Sequence, residues 1–97
     1  MKTYISLVTF TEKALQNIKD STNRADAFVK KASALGASID GLYWTIGAYD
    51  GVIIFKANDD EAATALMLSL ASLGFVKTET LRAFDQSEMK TVIGKVG

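Results

Sequence analysis

Apolar residues recur at every second position in some segments of this chain and at every third or fourth position in others, and the two kinds of segment follow each other along the sequence. Residues 3–10, TYISLVTF, are mostly β-branched and aromatic, a composition typical of a strand. Consecutive strand residues point to opposite faces, and both faces carry apolar residues: Ile5 and Leu7 on one, and Tyr4, Val8 and Phe10 on the other. The segment therefore predicts a strand buried on both faces. Extended segments at residues 37–47, 51–57 and 75–84 predict further strands.

Helical spacing of apolar residues predicts a long helical segment between the first two strands. Thr11 can cap its start, an apolar stripe begins at Ala14 and continues through Phe28, and Gly36 ends it. Residues 20–23, DSTN, are weak helix formers that can each act as a cap, so we expect a break there. The charged residues of the segment predict a solvated face: Lys13, Lys19, Asp20, Arg24, Asp26, Lys30 and Lys31.

A second helix has a clear start signal after the third strand. Asn58 stands three residues before Glu61, which is the spacing of a helix cap, and the helix then runs to Leu73 before Gly74. Acidic residues 59–61 favour the positive end of the helix dipole. Their consecutive spacing does not match a calcium loop, and helix capping accounts for them.

A third helix is predicted near the end of the chain, where Asp85 and Glu88 form a capping box and the apolar pattern continues to Ile93. The order of elements is then β-α-β-β-α-β-α in one domain, residues 1–97. This order predicts the α+β class, with a ferredoxin-like antiparallel sheet, helices on one face and a short C-terminal helix.

Charge is absent between Glu61 and Lys77, and the helix in this stretch is apolar nearly all round. A helix that lies on a sheet needs only one apolar stripe. The additional apolar surface therefore needs a cover, which is either residues 89–96 of this chain or a second copy. We expect Met67 and Leu68 to lie in such an interface.

The sheet gives an independent indication of self-association. Helices cover only one face, yet the strands carry apolar and aromatic side chains on both: Tyr4, Val8, Tyr43, Trp44, Val52 and Ile54. Two such sheets packed about a two-fold axis, as a dimeric α+β barrel, cover each other. The alternative is a monomer with an exposed patch that the C-terminal helix partly covers.

Composition limits the chemistry of the chain. The 97 residues include no His, Cys or Pro, which excludes Ser-His-Asp and Cys-His catalytic sets, disulfides and structural zinc sites. We expect no cofactor and no metal. The 11 basic and 11 acidic residues balance, so charge gives no reason to expect nucleic acid or an anionic membrane as a partner. Residues 51–57 also lack the paired aromatics of an RNA-recognition strand.

No segment predicts membrane insertion or export. The longest uncharged run, residues 62–76, is shorter than the ~20 apolar residues that cross a bilayer. The first residues lack the small-residue cleavage site of a signal peptide. We therefore expect a cytoplasmic location.

Several short motifs occur in order along the chain: Tyr4-Ile5-Ser6-Leu7, Arg24, Leu35-Gly36, Gly47-Ala48-Tyr49-Asp50, Asp59-Asp60-Glu61, and TETLRAF at residues 78–84. Together, at these spacings, they resemble the GYD-domain family of small bacterial and archaeal proteins. The resemblance implies a ferredoxin-like fold of the dimeric α+β-barrel type, in a family whose biochemical function is not established. The chain departs from the family at Lys56, where an acidic residue is common, and at Asn58, where Pro is common.

The polar and aromatic candidates for ligand binding are Tyr43, Trp44, Tyr49, Asp50 and Arg82. Asp50 and Tyr49 have the chemistry of a general base and a proton donor, although Asp-Gly pairs are also common in turns. Arg82 can hold a carboxylate or phosphate, or pair with a neighbouring acidic side chain. Tyr43 and Trp44 point to opposite faces, one under the helices and one on the open face, in an order that the sequence leaves open.

Two functions remain open from the sequence. The first is a homo-oligomeric domain that uses the open sheet face to bind a protein or a small apolar or carboxylate ligand. The second is a cofactor-independent enzyme of the oxygenase, isomerase or dehydratase kind, with a pocket in the dimeric barrel. Tyr49, Asp50 and Arg82 are the polar groups that such an enzyme has available, and no catalytic residue is assigned.

Overall fold

The computed structural model describes all 97 residues and has the predicted order of elements. The strands and helices have these bounds: β1 Lys2–Phe10, α1 Glu12–Gln16, α2 Ser21–Ala34, β2 Ser38–Trp44, β3 Gly51–Ala57, α3 Asp60–Ala71, β4 Val76–Ala83 and α4 Gln86–Ile93. A short 3-10 helix, Ile18–Asp20, joins α1 to α2. None of the helices combines the length and the apolar character that crossing a membrane requires.

The first helical segment is interrupted as predicted, but earlier in the chain. The break was expected at residues 20–23, whereas α1 ends at Gln16 and α2 already begins at Ser21. The Asn17 side-chain amide donates to the Lys13 carbonyl at 2.9 Å, and the Asn17 backbone N–H bonds to the same carbonyl and to that of Ala14. Asn17 thus satisfies the last carbonyls of α1 and ends it.

The strands form one four-stranded antiparallel sheet in the order β2-β3-β1-β4. Strand β1 lies between β3 and β4, which places Ile5 opposite Ile54 on one side and opposite Leu81 on the other. The pairing of β2 with β3 shifts register between Ile39 and Gly41. This topology confirms the ferredoxin-like α+β sheet.

The hydrophobic core lies between one face of the sheet and helices α2 and α3. Its buried members come from both layers: Tyr4, Val8, Ile53, Phe55 and Ala57 from the strands, and Phe28, Ala32, Ala63, Leu66 and Met67 from the helices. The Tyr4 ring stacks on Phe55 with centroids 5.3 Å apart. Ser6 is also buried in this layer, and its hydroxyl lies 3.1 Å from that of Thr80, so this polar group has a partner.

Helix α3 faces the core with Ala63, Leu66 and Met67, a spacing of three residues and then one. Met67, which was expected in an interface between copies, is only 4% exposed and belongs to the core of its own chain. Leu68 is 65% exposed. The expectation for Met67 is corrected because an apolar helix has no polar residues to show which side faces inward.

Helix α4 begins at its predicted cap, Asp85, whereas the cap of α3 is one residue later than predicted. Asp85 and Glu88 form the predicted capping box: Asp85 Oδ1 accepts the Glu88 N–H at 2.7 Å, and Glu88 Oε1 accepts the Asp85 N–H at 3.2 Å. The cap of α3 lies one residue after Asn58, because Asp59 Oδ1 accepts the Ala62 N–H at 2.8 Å. A carboxylate at this position also interacts favourably with the helix dipole.

The molecule is elongated, and its last helix, α4, buries none of its residues. The principal extents are 51 × 31 × 18 Å, and the Cα radius of gyration is 14.6 Å, against roughly 12.5 Å for an average compact domain of this length. No residue of α4 is buried, and Met89, Val92 and Ile93 are exposed. Because Leu68 remains exposed as well, residues 89–96 do not provide the cover that α3 was expected to need.

Tyr4 connects the sheet to α3 through its hydroxyl, which donates to Asp60 Oδ1 at 2.7 Å. Burial, followed by this hydrogen bond, raises the pKa of Tyr4 to about 12. Tyr4→Phe is expected to lower the free energy of unfolding at pH 7 by about 0.5–1.5 kcal/mol, the usual net value of one hydrogen bond. Urea unfolding followed by far-UV circular dichroism measures this loss.

The stability difference between wild type and Tyr4→Phe is expected to shrink at alkaline pH. An unfolded tyrosine ionises near pH 10.0, whereas folded Tyr4 keeps its proton until about pH 12. The contribution of Tyr4 is therefore fully present below pH 10 and is lost as the pH rises toward 12. Tyr43→Phe, which removes an exposed hydroxyl, is the matched control. A difference that stays constant over this range rules out the buried hydroxyl as its source.

Candidate functional site

The face of the sheet opposite α2 and α3 carries a continuous set of apolar side chains, here called the open-face patch. All four strands contribute to it: Ile5, Leu7, Tyr43, Val52, Ile54 and Leu81. Ile54 lies opposite Ile5, and Val52 lies opposite Leu7, so these side chains are direct neighbours. Tyr43 and Leu81 on the outer strands are exposed, and the others are half-buried.

Polar side chains lie around the open-face patch. Lys56 Nζ is 3.4 Å from Asp40 Oδ2 at one end of β3, and both side chains are partly exposed to solvent, so this ion pair adds little stability. Lys77 and Glu79 lie on the same face of β4, opposite Thr9 and Leu7 of β1. An apolar centre with a polar rim is typical of a protein–protein interface.

Tyr43 and Trp44 lie on opposite sides of the sheet. The Tyr43 ring covers Gly41 on the open face, where a Cβ would come within 2.9 Å of Tyr43 Cε2, so the glycine leaves room for the ring. Trp44 lies on the helix side, and its Nε1 donates to Ser21 Oγ in α2 at 2.9 Å. Because Trp44 is 46% exposed, it borders the core at the sheet edge and does not fill it.

Asp50 anchors the loop between β2 and β3. Its backbone N–H donates to the Val8 carbonyl at 2.8 Å, and its Oδ2 accepts the Phe10 N–H at 2.8 Å. The carboxylate thus satisfies a backbone donor of β1 that lies beyond Gly51, the first residue of β3. The neighbouring Tyr49 hydroxyl donates to Glu79 Oε2 at 3.0 Å, and this bond raises the pKa of Tyr49.

Arg82 joins β4 to α4. Its Nη2 donates to Glu88 Oε2 at 2.9 Å, and its Nη1 donates to the carbonyls of Thr3 and Ala83. The guanidinium also lies 4.5 Å from the centroid of the Phe84 ring. The hydrogen bond from Arg82 lowers the pKa of Glu88. Arg82 therefore pairs with a neighbouring acidic side chain, one of the two roles that the sequence left open.

Tyr49, Asp50 and Arg82 do not form one site. The Asp50 backbone N–H donates to the Val8 carbonyl of β1. Arg82 of β4 lies opposite Tyr4, which comes four residues before Val8 in β1. The separation of Tyr4 from Val8 along β1 is ~13 Å. The structure also has no group of three or more His, Cys, Asp or Glu residues that could hold a metal ion. Within one chain, Arg82 thus remains apart from Tyr49 and Asp50.

A cavity of about 220 Å³ lies on the helix side of the sheet, between α2 and the last turns of α3. Of its 21 lining residues, 15 are hydrophobic. Trp44 and Asp50 are in its wall, together with Arg24 and Phe75. The enzyme alternative that the sequence left open places its pocket in the barrel between two copies, whereas this cavity lies within one chain.

Arg24 is the residue of this cavity that the sequence interpretation missed. It was assigned to the solvated face of the helix, but it is half-buried. Its Nη1 donates to the Asn17 carbonyl at 2.9 Å, and its guanidinium lies 4.3 Å from the centroid of the Phe75 ring. The available signal was its position four residues before Phe28, on the side of α2 that faces the core.

The chain has relatives of known sequence and structure. The sequence pattern of the GYD domain matches residues 4–93. The chain belongs to the GYD-domain family. A Thermus thermophilus protein named glutamine synthetase and cystathionine beta-lyase binding protein is 30% identical to this GYD domain over 90 residues, 92% of this chain and 95% of the relative. A crystal structure from Thermus thermophilus has a TM-score of 0.57 and 26% identity, covering 88% of this GYD domain and 95% of that chain.

Asp50→Ala is expected to lower the free energy of unfolding of this GYD domain by about 1–3 kcal/mol, because the Phe10 N–H loses its acceptor. Asp50→Asn keeps a side-chain oxygen and is expected to recover most of the loss. Urea unfolding measures both variants. Asp26→Ala removes an exposed carboxylate from α2 and is expected to change stability by less than about 0.5 kcal/mol. Equal losses for Asp50→Ala and Asp26→Ala would argue against the anchoring role.

Proposed function

We propose that this GYD domain is a homo-oligomeric protein-binding domain that self-associates through the open-face patch. The observation that carries the proposal is the patch itself. Apolar side chains from all four strands lie side by side on it, while α2 and α3 pack on the other face. A large apolar surface in contact with water is unfavourable, and the same face of a second copy can cover it about a two-fold axis.

The positions of the charged residues support face-to-face packing. Lys56, Asp40, Lys77 and Glu79 stand around the patch, and no charged residue stands between Ile5, Leu7, Val52 and Ile54. Packing two such faces buries the apolar centre and keeps the charges near water, which avoids the cost of burying them. The resulting assembly is the dimeric α+β barrel that the sequence suggested.

A second surface remains for a different protein. Leu68 is exposed on α3, which packs on the opposite side of the sheet from the patch, so pairing of the open faces leaves it uncovered. No charged residue follows Glu61 in this helix. The Thermus thermophilus relative is named for binding glutamine synthetase and cystathionine beta-lyase. This GYD domain is accordingly proposed to bind an enzyme subunit through the exposed side of α3.

Size-exclusion chromatography with light scattering tests the assembly. At micromolar concentration, the expected mass is at least twice the 10.5 kDa of one chain. The mass is expected to fall on dilution, because association depends on concentration. A mass of one chain throughout this range overturns the self-association part of the proposal.

Purified glutamine synthetase and cystathionine beta-lyase from the source organism test the partner. Leu68→Lys is expected to weaken binding at least ~tenfold without changing the oligomeric mass, because it places a charge in an apolar contact. Val29→Lys is the matched control, since it makes the same kind of change at an exposed apolar residue of α2. Binding that is unaffected by Leu68→Lys excludes this side of α3, and failure of both enzymes to bind overturns the partner assignment.

A further inference from the structure

The cavity lies on the helix side of the sheet, and it shares only the strand residues Tyr43 and Val52 with the open-face patch. We infer that it binds a small carboxylic acid with an apolar body, either one aromatic ring or a short alkyl chain, with the carboxylate held by Arg24. Three features carry this inference: the size and apolar walls of the cavity, the position of Arg24, and the charge balance of the lining residues.

The size and lining define the body of the ligand. Most of the wall is hydrophobic, with contributions from Phe28, Leu70 and Phe75. The volume of about 220 Å³ is below the ~300–1,000 Å³ of sites for drug-sized ligands. At ~30 Å³ for each water-sized group, it holds about seven such groups. A benzene ring or a five-carbon chain fits this space, with a polar group left at the mouth.

Arg24 is the cation best placed to receive that polar group. It is half-buried in the wall, where the Asn17 carbonyl and the Phe75 ring fix its orientation. Its guanidinium has no carboxylate partner in the chain, whose ion pairs are Lys56 with Asp40 and Arg82 with Glu88. A guanidinium carries five N–H donors in a planar fork that matches a carboxylate. A half-buried, oriented and unpaired arginine therefore favours an anionic ligand group.

The other polar residues of the lining support the same preference. Ser21 Oγ accepts the Trp44 Nε1–H, so the Ser21 hydroxyl hydrogen is free to donate to a ligand. Lys31 adds a second cation to the lining. Asp50 is the one anion, and its Oδ2 is already engaged by the Phe10 N–H. The lining thus has a net positive charge, which selects an acid over a neutral molecule of the same shape.

Trp44 provides a direct test, because it is the single tryptophan of the chain and lines the cavity. Its indole N–H signal in a proton–nitrogen correlation spectrum is expected to shift saturably on titration with benzoate or hexanoate. The expected Kd is on the order of 1 mM for ligands of this size. The backbone signal of Leu81, at the far side of the sheet, is expected to stay unchanged. Saturable binding of either acid supports the site, and the tighter acid identifies the apolar body.

Benzamide and two Arg24 variants test the role of the carboxylate. Benzamide has the shape of benzoate without the charge and is expected to bind at least ~tenfold more weakly to the wild type. Arg24→Gln is expected to remove this difference, whereas Arg24→Lys keeps the charge and is expected to retain part of it. Ala25→Phe, which places a ring in the cavity lining, is expected to abolish binding of both acids.

The inference is overturned if neither acid shifts the Trp44 signal up to about 20 mM, well above the expected Kd. It is also overturned if benzamide binds as tightly as benzoate. If Arg24→Gln does not fold, the comparison of benzoate with benzamide on the wild type decides the question alone. The oligomeric mass is measured separately, so failure of this site leaves the proposed self-association untouched.

Discussion

Replacing Ile54 with lysine is expected to convert the oligomer into a monomer while the single chain keeps its fold. Ile54 lies at the centre of the open-face patch, opposite Ile5 on β1 and Gly41 on β2. In a two-fold interface the new charge occurs twice, and neither copy has a counter-ion, which costs on the order of several kcal/mol. In the separated chain the lysine side chain lies along the patch and its amine reaches water.

Light scattering at micromolar concentration measures the effect of Ile54→Lys, and the dissociation constant is expected to rise at least ~100-fold. Far-UV circular dichroism checks that the fold is retained. Ile46→Lys is the matched control, because it makes the same substitution at a loop residue that is 102% exposed. This control is expected to keep the wild-type mass. An unchanged mass for Ile54→Lys would show that the copies associate through another surface.

The faces of the strands could be predicted only where polarity or residue type differs between them. The alternation in β1 correctly placed Tyr4 and Val8 in one layer and Ile5 in the other. Tyr43 and Trp44 could not be assigned, because both are aromatic and alternation states only that their faces differ. Their assignment depends on contacts distant in the sequence: Ser21 accepts the indole N–H, and Gly41 leaves space for the Tyr43 ring.

The helices show the same limit in a different form. Helix α3 has no charged residue after Glu61, so its sequence does not define the side that faces the core, and Met67 and Leu68 looked equivalent. In α2 the charged residues do define a solvated side. Arg24 was assigned to that side only because it is charged, whereas it is half-buried in the structure. The long arginine side chain instead lies over Phe75, because the aromatic face and the Asn17 carbonyl are both within reach.

The cavity could not be predicted from the sequence, because a cavity is the space that tertiary packing leaves. Its principal residues lie far apart in the chain, with Arg24 in α2, Trp44 in β2 and Phe75 in the connection between α3 and β4, and no spacing along the chain links them. The open-face patch could be predicted, because a two-layer fold with apolar residues on both sides of its strands has one uncovered side. The two candidate sites of this GYD domain therefore differ in how far local sequence determines them.

Phe55→Ala is expected to destabilise the chain more than any other substitution considered above. Phe55 is 0% exposed on β3, and its ring stacks on Tyr4 with centroids 5.3 Å apart. Truncation removes the buried ring and leaves a cavity, which costs about 3–5 kcal/mol, against a total stability of about 5–15 kcal/mol for a typical domain. Thermal unfolding is expected to shift down by roughly 15 °C or more. Phe55→Leu retains most of the volume and is expected to cost less than about 2 kcal/mol.

Phe84→Ala is the control for Phe55→Ala, since its ring is 53% exposed, although Arg82 stacks on it. Its expected cost is at most about 1 kcal/mol. All variants are compared at one protein concentration, because association adds to apparent stability. Equal losses of stability for Phe55→Ala and Phe84→Ala would place the core elsewhere.

Phe55 follows Ile54 directly in β3, so Phe55→Ala should lower stability and Ile54→Lys should lower the oligomeric mass. Adjacent residues thereby test the buried face and the open face of the same strand separately.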